Sequence, residues 1–172
     1  FGCYGPKSLR PGYDIIAQAT GGLMSITGEP GRHGIRVGNA MGDVLGGMNL
    51  TIGILIALHA RTITGKGQRV DVSLVDSVVS SLETGTQRYF ASGKQPELMG
   101  NRYAAAYPYD SFKASDGFFV IGCGNDKLFS LFCNNVLNRP ELLEDSRFAT
   151  NIKRCEYHAE LKPIIEEWSI NY

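Results

Sequence analysis

After Pro11 the apolar residues fall at helical spacing, at Ile15, Ile16, Ala19 and Leu23. A proline just ahead of such a run suits a helix start, so the pattern predicts a helix from about Asp14 to Ser25. The following stretch, TGEPGRHGIRVGN, contains four glycines and a proline and reads as an exposed loop. GDVLGGMNLTIGILIALHAR is apolar nearly all round, with Val44, Leu45, Met48, Ile52, Leu55 and Ile56, which predicts a helix buried on most sides. Gly46, Gly47 and Gly53 each cost such a helix about 1 kcal/mol relative to Ala. A close approach by another backbone or a ligand is expected there. Thr64-Gly65-Lys66-Gly67 ends the helix, Gln68 to Leu74 alternates as a short strand, and a second helix is predicted from about Leu74 to Tyr89.

Gly85 to Pro108 has no periodicity and marks a boundary. Beyond it, SFKASDGFFVIGCG reads as a hairpin turning around Asp116-Gly117. Asn125 to Leu137 has the pattern of a helix capped by Asn125 or Asp126, with Leu128, Phe129, Phe132 and Val136 inward. Pro140 to Phe148 is acidic and turn-rich. A last helix, about Tyr157 to Trp168, carries Leu161, Ile164, Ile165 and Trp168 on one side, with Pro163 inside it. These boundaries divide the chain into residues 1–84, a linker and loop over 85–110, and residues 111–172.

Composition narrows the picture. A chain of 172 residues can bury a core and amounts to one domain or parts of two; starting at Phe1, it is expected to be a piece of a longer protein. Its 17 basic and 17 acidic residues cancel, which removes the electrostatic case for a nucleic-acid or anionic-membrane partner. Cys3, Cys123, Cys133 and Cys155 show neither a C-x-x-C pair nor scaffold spacing, so reduced thiols in a soluble, cytoplasmic protein are expected. The run Leu50 to Leu58 is short of the roughly 20 residues a membrane span needs, and no secretory signal pattern is visible.

Few residues carry chemistry on their own. Asp43 stands where the glycine-rich loop meets the apolar helix, and two readings are open: a carboxylate capping free N–H groups, or an ionised nucleophile at the positive helix end, with N–H groups near Gly42 to Val44 stabilising an oxyanion. Thr64 to Gln68 lacks phosphate-loop spacing and follows a helix rather than preceding one. His33, His59 and His158 are scattered without metal-ligand spacing, no G-x-S-x-G elbow occurs, and Asp71 and Asp76 fit strand and cap positions better than an acid/base pair.

Taken together, GPKSLRPGYDIIAQATGGLMSITG, NAMGDVLGGMN and ALHARTITGKGQRVDVSLVDS occur in order, and GNRYAAAYPYDSFKASDGFFVIGCGN follows. This set resembles the family III CoA transferases (CaiB/BaiF-like), which include formyl-CoA and carnitine CoA transferases, over nearly the whole chain. The resemblance implies an α/β fold: part of a Rossmann-like large domain carrying Asp43, then the start of a smaller α/β domain. It implies that Asp43 is the nucleophile, that Tyr13 and Gly42 lie against coenzyme A, and that Asn101, Arg102 and Tyr103 reach the substrate. The cofactor expectation is that nothing is bound permanently, neither metal nor prosthetic group, and that a CoA thioester is the substrate. Expected partners are an acyl-CoA and a small carboxylic acid, with no nucleic acid or membrane, and a second copy in an interlocked homodimer of the full-length protein. Tyr103-Ala104-Ala105-Ala106-Tyr107 replaces a glycine run of the formyl-CoA enzymes, which implies a different acid, and Pro108 to Gly117 looks most like enzymes using succinyl-CoA and dicarboxylic acids. This piece alone is expected to expose core surface and to show little activity. The rival α-methylacyl-CoA racemases share the motifs but have histidine at the position of Tyr13; a tyrosine, with a pKa of about 10, is a poor acid/base partner. A non-catalytic CoA-binding module is the third reading.

Overall fold

A computed structural model describes residues 1–171, and the chain divides into two compact units, Phe1–Gly100 and Asn101–Tyr172. In the first unit, helix α1 spans Asp14–Thr20. A separate 3-10 turn, Leu23–Ile26, follows Gly22 in the left-handed region at φ 91°. The single helix expected to Ser25 is therefore two pieces, because the Gly22 conformation stops an α-helix. Helix α2 runs Met41–Thr64 and stops at Gly65 (φ 70°), whose N–H donates to the Arg61 carbonyl. That is a helix-ending turn, not a phosphate cradle.

Helices α3 (Leu74–Ser80) and α4 (Thr84–Ser92) replace the single helix expected over Leu74–Tyr89. The hydroxyls of Ser77, Ser80 and Ser81 donate to the carbonyls of Ser73, Ser77 and Val78. Such back-bonding competes with the helix ladder, and the chain breaks at Glu83, which takes φ 43°. The expected strand Gln68–Leu74 is a further correction: it pairs with no described segment, and alternation without a ladder partner makes no strand. Val70 packs instead against α2 at Gly53.

The burial expected for α2 also needs correction. Gly42 and Gly46 are buried, whereas Val44, Met48, Ile52, Leu55 and Ile56 stand about half exposed or more. Within the unit, α1, α3 and the 70–74 segment cover one face of it only. At 24 residues it is long and apolar enough to cross a membrane by length and composition, unlike the shorter run Leu50–Leu58.

The second unit places a hairpin against helices. Strands β1 (Tyr109–Lys113) and β2 (Phe118–Gly122) pair antiparallel, Tyr109 opposite Gly122 and Lys113 opposite Phe118, and the Ala114 N–H donates to the Gly117 carbonyl across the turn at 2.8 Å. Helix α5 (Asp126–Phe132) is capped by the Asn125 side chain, which accepts from the Leu128 N–H at 2.9 Å. A π-turn, Cys133–Leu137, and a 3-10 turn, Pro140–Leu143, lead to α6 (Asn151–Glu156) and α7 (His158–Ser169). Helix α7 runs through Pro163, which removes one ladder bond, while Leu161 and Ile165 are fully buried on its inner face. The same helix satisfies the free edge of β1: Lys162 donates to the Ser111 carbonyl and to Asp110, Glu166 accepts from the Lys113 N–H, and Ser169 donates to the Lys113 carbonyl. A covered edge cannot recruit another strand.

Helix α6 has no apolar period because its inward residue is charged. Arg154 is fully buried and donates to the carbonyls of Tyr107 (2.8 Å) and Phe148 (2.9 Å), pairs with Asp126 at 2.6 Å, and lies 4.2 Å from the Phe129 ring centroid. Arg154→Met would leave two carbonyls without donors, while the exposed Asp126 end contributes little through screening. The expected loss is about 2–4 kcal/mol in urea unfolding.

All four cysteines are free thiols. Burial pushes Cys133 up to about 11 and raises Cys123 as well. The unfolded chain loses the Cys133 proton near pH 9 and the folded chain only near 11, so the unfolded state binds fewer protons between them and stability falls as pH rises through that window. The fall is expected to be shallower in Cys133→Ala, measured by unfolding midpoints from pH 8 to 11.

Candidate active site

The first unit brings α1 and the start of α2 together through one side chain. Asp14 Oδ1 accepts the Gly42 N–H at 2.8 Å, and both Asp14 oxygens accept from Gln18 Nε2 at 3.0 and 2.9 Å. Gln18 is fully buried; its Nε2 also donates to the Asn39 carbonyl at 3.2 Å, and its Oε1 accepts the Val37 N–H at 2.9 Å. Arg36 stands 4.0 Å from Asp14. The strap from Val37 to Gly42 is thus tied to α1 at three main-chain groups.

At Gly42 α1 packs closely: an added Cβ would lie 3.1 Å from the Ala17 Cβ and 3.2 Å from Asp14 Oδ1, tighter than an ordinary contact. One turn later Gly46 meets Leu74, and further on Gly53 meets Val70. The close approach expected at these glycines is found at Gly46 and Gly53, made by side chains. Gly47 faces open space beside a groove of about 340 Å³.

Asp43 is the third residue of α2, not its cap. The cap position is Ala40, with no side-chain bond, and the carboxylate that takes a free N–H is Asp14, supplied from α1. The Asp43 carboxylate is exposed and has no hydrogen bond or ion pair among the described residues. Of the first-turn N–H groups, Met41 donates to the Asn39 carbonyl, Gly42 to Asp14 and Val44 to the Ala40 carbonyl. The Asp43 N–H alone has no partner among the described residues, which narrows the donors expected over Gly42 to Val44. Tyr13 precedes Asp14 and is exposed. Tyr13 and Asp43 therefore each neighbour one member of the bonded Asp14–Gly42 pair.

Asn101, Arg102 and Tyr103 open the second unit. Asn101 Nδ2 donates to Ser111 Oγ at 3.0 Å, and the Tyr103 N–H donates to the Tyr109 carbonyl at 2.9 Å, with the two rings 5.2 Å apart. Arg102 is half-buried and forms no ion pair among the described residues. The stretch after it is pinned by Asn151, which donates to the Ala105 carbonyl and accepts the Tyr107 N–H. His59 is exposed on α2, and no cluster of His, Cys, Asp and Glu of metal-binding size occurs among the described residues. Sequence reasoning missed Asp14 and Gln18; their i, i+4 spacing on α1 was the available signal.

The family model for CoA-transferase family III matches residues 1–171. This chain belongs to that family. Acetyl-CoA:oxalate CoA-transferase of Acetobacter aceti is 42% identical over 168 residues, covering 97% of this chain and 43% of the relative. The mouse succinyl-CoA:glutarate CoA-transferase is 38% identical over 165 residues, covering 96% of this chain and 38% of the relative. The crystal structure of a CAIB/BAIF family protein from Brucella suis superposes with a TM-score of 0.82 at 41% identity, covering all of this chain and 45% of that one. A hypothetical protein of Mycobacterium tuberculosis gives 0.83 at 26% identity, with the same coverage. This family III chain thus has the mixed α/β fold of the CaiB/BaiF proteins and spans less than half the length of these relatives.

The glycine contacts separate by experiment. A Cβ at Gly21 would lie 2.6 Å from Val78 Cγ1 and 2.8 Å from the Ala17 carbonyl oxygen, so Gly21→Ala is expected to destabilise by about 1–3 kcal/mol. Gly47→Ala, in open space, should instead stabilise by up to about 1 kcal/mol. Urea unfolding of both variants checks the opposite signs.

Proposed function

We propose that the full-length protein moves coenzyme A from an acyl-CoA to a small carboxylic acid, with Asp43 as the covalent carrier. An exposed, unpartnered carboxylate on the first turn of a 24-residue helix, in a family III chain, is the observation that carries this reading. An Asp43 oxygen attacks the thioester carbonyl, the carbon–sulfur bond breaks, and an aspartyl acyl anhydride and CoA thiolate result. The thiolate attacks the Asp43 carbonyl carbon and expels the donor acid as its carboxylate, leaving an aspartyl-CoA thioester. The incoming carboxylate attacks that thioester, giving a second anhydride, and the released thiolate takes the new acyl group and frees Asp43.

Every nucleophile and every leaving group in this cycle is an anion, so it needs no proton shuttle. Racemisation, by contrast, needs two positioned acid/base groups that titrate near working pH, and this chain has Tyr13 where the racemases carry histidine. The unpartnered Asp43 N–H is the main-chain donor nearest the developing oxyanion. Tyr13 and Gly42 border the CoA arm. Arg102, with Asn101 and Tyr103, receives a carboxylate of the acid, for which a half-buried guanidinium without a counter-ion is suited. The acids named for the relatives include oxalate and glutarate, and a small dicarboxylic acid is the proposed acceptor here. The exposed apolar face of α2 is covered in the longer protein, which acts as an interlocked homodimer; four free thiols fit a cytoplasmic setting.

In the full-length protein, Asp43→Ala is expected to cut CoA exchange by about a thousandfold or more, and mass spectrometry of the unaltered enzyme with acyl-CoA should find CoA attached at Asp43. Undiminished exchange in the variant would sink the assignment.

A further inference from the structure

Nothing holds Asp43 directly: its side chain and its own N–H have no partner among the described residues. Its place is set by the residue before it and by the strap leading into α2. Among the described residues, every non-local polar anchor of that strap comes from two side chains of α1. Asp14 takes the Gly42 N–H, and Gln18 takes the Val37 N–H and gives to the Asn39 carbonyl. Gln18 in turn is locked by Asp14, since its amide donates to both carboxylate oxygens.

We propose that Asp14 is a positioning residue for Asp43: with Gln18 it clamps the Val37–Gly42 strap so that the first turn of α2 presents the Asp43 carboxylate in one place. The inference rests on Asp43 being the acylated group. Attack on a thioester demands an approach held to fractions of an ångström, and displacement of a reacting atom by about 1 Å costs on the order of a hundredfold in rate. A bond from Asp14 to the N–H of the preceding residue, Gly42, transmits to the nucleophile with one residue of slack. The oxygen acting as acceptor carries the role more than the negative charge does, because the groups within hydrogen-bond distance are a main-chain N–H and an amide, while the half-exposed Arg36 guanidinium stands off at 4.0 Å.

The test uses the full-length protein and four variants: Asp14→Ala, Asp14→Asn, Gln18→Met and Asp43→Ala. Asp14→Ala and Gln18→Met are expected to lower kcat about tenfold to a hundredfold, with KM for acyl-CoA and acid changed less than about threefold. Asp14→Asn keeps an oxygen for the Gly42 N–H and should stay within about threefold of the unaltered kcat. The fraction of Asp43 carrying CoA after one burst should fall with kcat in the slow variants. If Asp14→Ala does not fold, Gln18→Met against Asp14→Asn carries the comparison. Normal kcat in Asp14→Ala or Gln18→Met, an Asn variant as slow as the Ala variant, or a loss confined to KM overturns the positioning role. Exchange that survives Asp43→Ala overturns instead the reading beneath it.

Discussion

Helix α2 is approached at three points where it carries no side chain, and the first unit is arranged around that constraint. Gly42, Gly46 and Gly53 lie four and seven residues apart, steps that return to nearly the same side of a helix with 3.6 residues per turn. Side-chain carbons of Ala17, Leu74 and Val70 lie 3.1, 2.5 and 2.7 Å from where the three β-carbons would be. At Gly42 the approach is close enough for a side-chain carboxylate of α1 to reach a peptide N–H. Turning about 100° per residue, the chain then brings Asp43 off the packed line and into the open. The glycines cost helix propensity, and the contact they admit is what orders the start of the helix.

How far the sequence showed this depends on whether a signal is local. The hairpin is legible because Asp116-Gly117 sits between alternating runs, and α5 because Asn125 caps it and Phe129 points inward, although Leu128 and Val136, also expected inward, are exposed. Both are decided by neighbours a few residues away. The strand over Gln68–Leu74 is not decided locally: alternation shows two faces, but a ladder needs a partner chain segment. Serine hydroxyls that bond back to carbonyls split α3 from α4, an energetic competition that hydrophobic spacing does not register. The prospective burial of α2 rested on composition alone, and composition does not say what will cover a face.

The same limit explains the site. Asp43 stood out as an acidic residue at a loop–helix junction, with capping and nucleophilic roles both open. The partner on α1 bears on the first of these, since Asp14 fills the capping role and leaves Asp43 exposed. Asp14 and Gln18 carry no mark of this role on α1 because their strap partners lie 19 to 28 positions away. Arg154 was missed for the matching reason: it organises the second unit by giving hydrogen bonds to carbonyls 47 and 6 residues away. A buried polar hub has no periodicity, and its importance lies wholly in the groups it satisfies.

These features bear on the chemistry through what each side chain is left to do. In the proposed exchange of carboxylates and thiolate, attacking and departing groups carry the same charge, so no titrating partner helps and geometry carries the rate. A carboxylate spent on capping would have its lone pairs directed at the helix and away from a thioester. Dividing the work between two residues resolves the conflict: Asp14 satisfies the helix N–H from outside, and Asp43 keeps both oxygens free. A chain with one aspartate at this junction would have to choose between ordering the turn and reacting from it.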